Sequence, residues 1–139
     1  MIHYNYESDF TLSNEEVYTD WIENVLASEG KSLGELSYIF CDDEYLLEIN
    51  QQYLEHDTLT DIISFDYTEG DIISGDIFIS VERVQDNAND LNIPFNEELK
   101  RVIIHGVLHY CGYKDKSESD KALMRSKEDE KIKLFHVKQ

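Results

Sequence analysis

The residues of this chain best suited to chemistry are His105 and His109, four positions apart in the run His105-Gly106-Val107-Leu108-His109-Tyr110-Cys111-Gly112-Tyr113-Lys114-Asp115. In a helix that spacing puts both side chains on one side, so two imidazole nitrogens can reach a single ion at about 2.0 to 2.1 Å. Val102, Ile103, Ile104, Val107, Leu108 and Cys111 surround them. These leave almost no polar face, which marks a central, buried helix. Histidines in such a wall need partners: a metal ion, or backbone carbonyls that accept from the rings.

A catalytic zinc prefers three protein groups and one open position, so a third ligand has to come from beyond the helix. Gly112 allows a left-handed turn, and Asp115 follows three residues later. The order His-x-x-x-His-x-x-Gly-x-x-Asp has the spacing of metzincin-type hydrolases, in which the glycine returns the chain toward the ion. Asp115 is therefore expected as the third ligand; the alternative is an ordinary solvated charge among Lys114, Lys116 and Glu118. Zinc proteases carry Glu after the first histidine as general base. Here that position is Gly106, which disfavours peptide hydrolysis by that route. His3, His56 and His136 show no ligand spacing and read as surface or interface residues.

The elements that must position this group follow from periodicity. Residues 2–10 alternate polar and aromatic side chains like an edge strand, and Ser13-Asn14-Glu15-Glu16 supplies a cap and an acidic first turn for a helix over 14–28. Val17, Trp21, Val25 and Leu26 form its apolar face, and Gly30 and Gly34 break it. A short strand over 36–41 leads to a helix opened by Asp42-Asp43, with Tyr45, Leu46, Ile49 and Tyr53 on one side. Residues 60–67 and 76–80 read as paired strands around Glu69-Gly70-Asp71, and 81–91 as a helix. Pro94-Phe95-Asn96 caps the histidine helix over 97–111, Gly112 ends it, and a last helix over 117–135 carries Leu123, Met124, Ile132 and Phe135. The pattern is that of an α/β or α+β domain; we take it as α+β, a small mixed β-sheet packed with about five helices.

At 139 residues and 41% hydrophobic content, the chain has the size of one domain, 1–139. No run approaches the roughly 20 apolar residues of a membrane span, and the first residues lack a secretory pattern, so a cytoplasmic location without membrane contact is expected. Cys41 and Cys111 are far apart and form no Cys-x-x-Cys pair, so no disulfide-linked partner is expected and both read as buried apolar residues. The formal charge of -18 gives a self-repelling surface that also repels phosphate backbones, so a nucleic-acid partner needs a local basic patch or a metal.

The same residues resemble the YbeY family of metal-dependent endoribonucleases and ribosomal RNA maturation factors. The family hallmark His-Gly-x-Leu-His-x-x-Gly-Tyr is matched from His105 through Tyr113. Asn50-x-x-Tyr53 with Thr60-Asp61-Ile62-Ile63-Ser64-Phe65 is similar to a second family block, and Gly75-Asp76-Ile77-Phe78-Ile79-Ser80 to a third. Two positions depart from the family: Asp115 stands where its third histidine falls, and Leu54 where it has an arginine thought to contact RNA phosphate. The resemblance implies a histidine helix at the floor of a cleft, with Thr60, Asp61 and Ser64 nearby, while Phe65, Gly75 and Asp76 read as structural.

The implied activity is a zinc-dependent endoribonuclease cutting single-stranded regions of ribosomal RNA precursors, in 3′-end processing of the small-subunit RNA and ribosome maturation. His105, His109 and Asp115 would hold the ion. No general base is evident; Asp61 is the nearest candidate on resemblance. Two histidines with one carboxylate also suit non-haem iron or another divalent metal. Lys100, Arg101, Lys114, Lys116, Lys121 and Arg125 would offset the global charge if they cluster beside the cleft. Competing readings are a metal-dependent hydrolase of another small ester or amide, and a non-catalytic ribosome-assembly factor whose metal only fixes the fold.

Overall fold

The computed structural model describes residues 1–54 and 60–137, and the side chains of Leu54, His136 and Val137 lie outside the description. The readings made at His56, at His136 and for the Leu54 side chain therefore fall outside the described residues. The elements run β1 (Ile2–Tyr6), α1 (Glu15–Ser28), β2 (Ser32–Cys41), α2 (Asp43–Leu54), β3 (Ile62–Asp66), β4 (Ile72–Ser80), α3 (Val81–Leu91), α4 (Phe95–Tyr110) and α5 (Glu118–Val137). Among the described residues this is the expected α+β arrangement of five helices and one sheet.

The sheet order is β1-β2-β4-β3. β1 and β4 flank β2 in parallel, and β3 closes the far edge antiparallel to β4. The inner strands alternate as a sheet with unequal faces demands. Leu36, Tyr38 and Phe40 of β2 and Ile73, Ile77 and Ile79 of β4 enter the large core under α1, α4 and α5. Phe78 and Ile63 turn to the opposite face, where α2 covers them with Leu46, Tyr45 and Ile49. Tyr4 stacks on Tyr38 and Tyr6 on Phe40, with ring centroids 6.0 and 5.7 Å apart, which anchors the edge strand β1.

Polar side chains tie the layers together. Tyr38 donates to the carbonyl of Ile103 at 3.0 Å, fixing α4 on β2. The Trp21 indole donates to the carbonyl of Lys131 at 2.7 Å, fixing α1 on α5. Lys131 itself is buried, and its ammonium meets Glu29 Oε2, Glu130 Oε2 and Ser28 Oγ at 2.8 Å each. A buried ammonium is tolerated because three acceptors replace its water.

Several boundaries differ from the sequence reading for identifiable reasons. β2 begins at Ser32, so Gly34 is a strand residue at a register irregularity rather than a helix breaker; a Cβ there would lie 2.3 Å from Ser74 Oγ. β4 begins at Ile72: Ile72 and Ile73 pair with Ser32 and Leu33, and Gly75 pairs with Leu36 and Asp66, so the Ser74-Gly75 step that interrupts its apolar run lies inside the strand. α4 starts at Phe95 with Pro94 as its cap residue, so Asn96 lies inside the first turn. Asn14 makes no side-chain capping bond, whereas Asp42 does cap α2, accepting from the Tyr45 amide at 2.8 Å.

Gly75 sets how closely α4 approaches the strands. A Cβ built there would lie 2.5 Å from both the Phe65 carbonyl oxygen and the Tyr110 hydroxyl. That hydroxyl reaches Phe65 O at 2.8 Å and Asp76 O at 3.2 Å, closing the end of α4 onto β3 and β4. We predict that Gly75→Ala lowers unfolding free energy by about 1–3 kcal/mol through overpacking. Urea unfolding of the two proteins measures it, and equal midpoints would contradict the assignment.

Candidate metal centre

Helix α4 is buried over most of its length, from Glu98 to Tyr110. His105 and His109 occupy a strip that opens onto a cleft beside α5 and the β3 edge, while Gly106 packs on the sheet, where a Cβ would come within 2.9 Å of Ile77 Cδ1. The absence of a base after His105 thus coincides with a packing demand. The helix ends as a Schellman turn: the Gly112 amide donates to His109 O at 3.0 Å and the Tyr113 amide to Leu108 O at 3.1 Å, with Gly112 at φ 108°. That reversal carries Asp115 back over the two rings.

Asp115 Oδ2 lies 3.2 Å from His105 Nε2 and 3.5 Å from His109 Nε2. One potential ligand atom from each of the three residues lies within 4.8 Å of the others. The sequence-derived trio is therefore brought together. His109 and Asp115 keep about two fifths of their side-chain surface exposed, 40% and 39%, so the group opens to solvent instead of being enclosed.

His105 Nδ1 points the other way, 2.7 Å from Glu128 Oε2. Glu128 is buried, and its second oxygen accepts from Arg101 Nη1 at 2.9 Å while Arg101 Nη2 donates to Asp129 at 2.8 Å. With Nδ1–H donated to a carboxylate, the Nε2 lone pair faces Asp115 and His109, the tautomer a metal ligand needs. Burial opposes a charged His105, but the Glu128 hydrogen bond and the charges of Glu128, Asp115 and Asp61 outweigh it and raise its pKa. The field that favours a proton between the rings and Asp115 also favours a divalent cation there. The residues present thus fit a bound metal: two imidazoles presented through Nε2, one carboxylate, and a second-layer carboxylate fixing the first histidine.

The trio lines a cavity of about 500 Å³. Thr60, Asp61 and Ser64, placed near the cleft by resemblance, line its β3 side, and Glu98, Arg101 and Arg125 line other walls. Burial pushes the Asp61 carboxyl upward against the pull of His105, and its Oδ2 accepts from Asn87 at 3.3 Å. Burial likewise raises Glu98, and the neighbouring Asp61 charge adds to it. Glu98 Oε1 and Arg101 Nε are buried without a hydrogen-bond partner among the described residues, and both residues face this cavity. A buried polar atom without a partner asks for an explanation, and a functional role is one.

The basic residues divide. Arg101 and Arg125 line the cleft, and Lys121 lies on an adjoining hollow. Lys100 is turned into the core, 4.2 Å over the Phe135 ring, and Lys114 and Lys116 are exposed beside Asp115. The thiols take no part: burial pushes Cys41 to about 12 and Cys111 to about 11. His3 is a surface residue, 3.0 Å from Glu35. Glu128 and Glu98 were missed from sequence. Glu128 lies in a run of alternating charge and Glu98 in the acidic first turn of a helix, both patterns of a solvated face.

Among the described residues, a mixed four-stranded sheet, five helices and a cleft centred on two histidines and a carboxylate define a small α+β protein whose site residues could hold a metal. The model of the family described as Endoribonuclease YbeY matches residues 3–136, and this chain belongs to that family. It is 70% identical over 139 residues to the protein named Endoribonuclease YbeY from Flavobacterium psychrophilum, covering 100% of this chain and 99% of that one. The protein of the same name from Bacteroides thetaiotaomicron is 51% identical over 116 residues, with 84% and 85% covered. A solution structure of a Thermotoga maritima protein superposes with a TM-score of 0.75 at 26% identity, covering 99% of this chain and 91% of that one.

Replacing the Glu128 carboxylate by an amide should weaken metal binding at the trio. Glu128→Gln keeps the size and a hydrogen-bonding group but removes the charge, so we predict affinity about 10- to 100-fold lower with the fold retained. Competition with a chromogenic chelator, checked by circular dichroism, measures this. Unchanged affinity would remove Glu128 from the site.

Proposed function

We propose that this chain is a zinc-dependent endoribonuclease that cuts single-stranded segments of ribosomal RNA precursors, including processing at the 3′ end of the small-subunit RNA, in the cytoplasm. Membership in a family whose model and relatives carry the name endoribonuclease gives RNA as the substrate class. The observation that carries the mechanism is the convergence of His105 Nε2 and His109 Nε2 on Asp115 Oδ2 at an open cavity.

His105, His109 and Asp115 would hold the ion, and the nitrogen-rich set with one carboxylate suits zinc. When bound, it supplies Lewis acidity toward a phosphodiester and toward water. Glu128 keeps His105 in the ligating tautomer, and Arg101 keeps Glu128 in place. Asp61, raised by burial and held by Asn87, is the carboxyl on the β3 wall positioned to accept or return a proton. Thr60 and Ser64 add hydroxyls on that same wall, suited to donate to phosphate or ribose oxygens. The exposure of His109 and Asp115 favours a working site over an ion enclosed for structural purposes alone.

Metal analysis of untagged protein is expected to return one zinc per chain, with markedly less in Asp115→Ala. Chelation should abolish cleavage of single-stranded RNA, zinc should restore it, and His109→Ala should fold but not cleave. Metal content unaffected by Asp115→Ala would remove that ligand. RNA left intact by the zinc-loaded protein, with hydrolysis of a generic ester instead, would replace the substrate assignment.

A further inference from the structure

The metal trio stands at the junction of two hollows. The first runs toward β3 and is bounded there by Thr60, Asp61 and Ser64. The second, about 570 Å³, runs toward the first turns of α5, bounded by Glu118, Lys121, Ala122 and Met124. His105, Asp115, Arg125 and Glu128 line both. Each hollow has the size that takes a nucleotide-sized ligand, and the shared wall makes them one trough passing the trio.

The cations of this trough are unequally committed. Arg101 spends its guanidinium on Glu128 and Asp129. Arg125 and Lys121 join no ion pair among the described residues; both side chains are exposed, and they lie four residues apart on one face of α5. In a chain of net charge -18, two uncommitted cations in line beside a metal site are a local exception to the field. The carboxylates of Asp115, Glu118, Glu128, Asp61 and Glu98 line the same trough and oppose an anion, so strand binding depends on the loaded metal and on these cations.

We propose that Lys121 and Arg125 form a phosphate rail: a single RNA strand crosses the trough from the β3 side to α5, with Arg125 on a phosphate at the metal junction and Lys121 on the next phosphate along α5. The proposal deepens the endoribonuclease reading and rests on it. Ala122 and Met124 give the α5 hollow an apolar floor for a ribose or base edge. Contacts of this kind position the strand without reading its sequence.

The test is fluorescence anisotropy of a labelled, cleavage-resistant 2′-O-methylated single-stranded RNA of about twelve nucleotides with zinc-loaded protein over a salt series, cutting of the unmodified strand being followed separately on a gel. Removing one cation from a phosphate should flatten the log–log salt dependence by about 0.7. Arg125→Gln and Lys121→Gln are each expected to weaken binding several-fold and flatten the slope by that amount, and Arg125→Lys to retain most of it. Lys133→Gln, an exposed cation of α5 outside the trough, should match wild type. Unchanged slopes in both glutamine variants would overturn the rail, as would a fall in zinc content in Arg125→Gln, which would make the arginine a support of the metal site. Wild type that binds RNA through these residues but does not cut it would instead overturn the endoribonuclease reading and leave the rail standing.

Discussion

Helix α4 has to be the innermost wall of the core and the carrier of two polar side chains, His105 and His109, at once, and a helix can do both only if it divides its circumference. Gly106 and Gly75 make the division possible. The first lets α4 approach Ile77 of β4, and the second lets the Tyr110 ring approach the strands so that its hydroxyl caps Phe65 and Asp76. With that face held close to the sheet, His105 and His109 emerge along a strip that lines the cleft between α5 and the β3 edge. A bulkier residue at either glycine would lift the helix and shift both rings together, and metal geometry tolerates only tenths of an ångström.

Electrostatics then fixes what the strip presents. Glu128 is buried and lies among other acidic groups, a costly place for a carboxylate without partners. Its partners come from two directions: Arg101, one turn before His105 on α4, and the His105 ring itself. The chain Asp129–Arg101–Glu128–His105 consequently joins α5 to α4 and orients the His105 ring with the same bonds. Packing of α5 is thus coupled to the site, and Trp21 and the Lys131 cluster, which hold the far part of α5 against α1, support the centre indirectly.

Much of this is legible in the sequence, and the reason is periodicity. The histidine pair, the glycine stop and Asp115 sit within eleven residues, where helix geometry and one well-defined turn convert spacing into position. All five helices are likewise visible, with α3 recovered over its whole length. What was not legible depends on contacts between distant segments. β4 reads as interrupted because Ser74 and Gly75 carry little strand propensity, yet Gly75 is there for the sake of Tyr110, thirty-five residues later. Glu98 and Glu128 resemble solvent-facing charges until the docking of α4 and α5 buries them. The sequence pattern also cannot tell Lys100, turned onto Phe135, from Arg101 beside it, which serves the site.

The aspartate at 115 changes the balance of charge more than the geometry. Three neutral imidazoles around a divalent ion leave two positive charges on the site, whereas two imidazoles and a carboxylate leave one. A carboxylate already in place would hold a divalent ion more tightly, since the field at the His105 ring favours a cation. The same field is less welcoming to a polyanion. Glu128, Asp61 and Glu98 deepen it, and Arg101 is already spent within it. An acidic chain of this composition therefore has to meet RNA through a few cations at short range, within the screening length, and not through the long-range attraction that basic nucleases use.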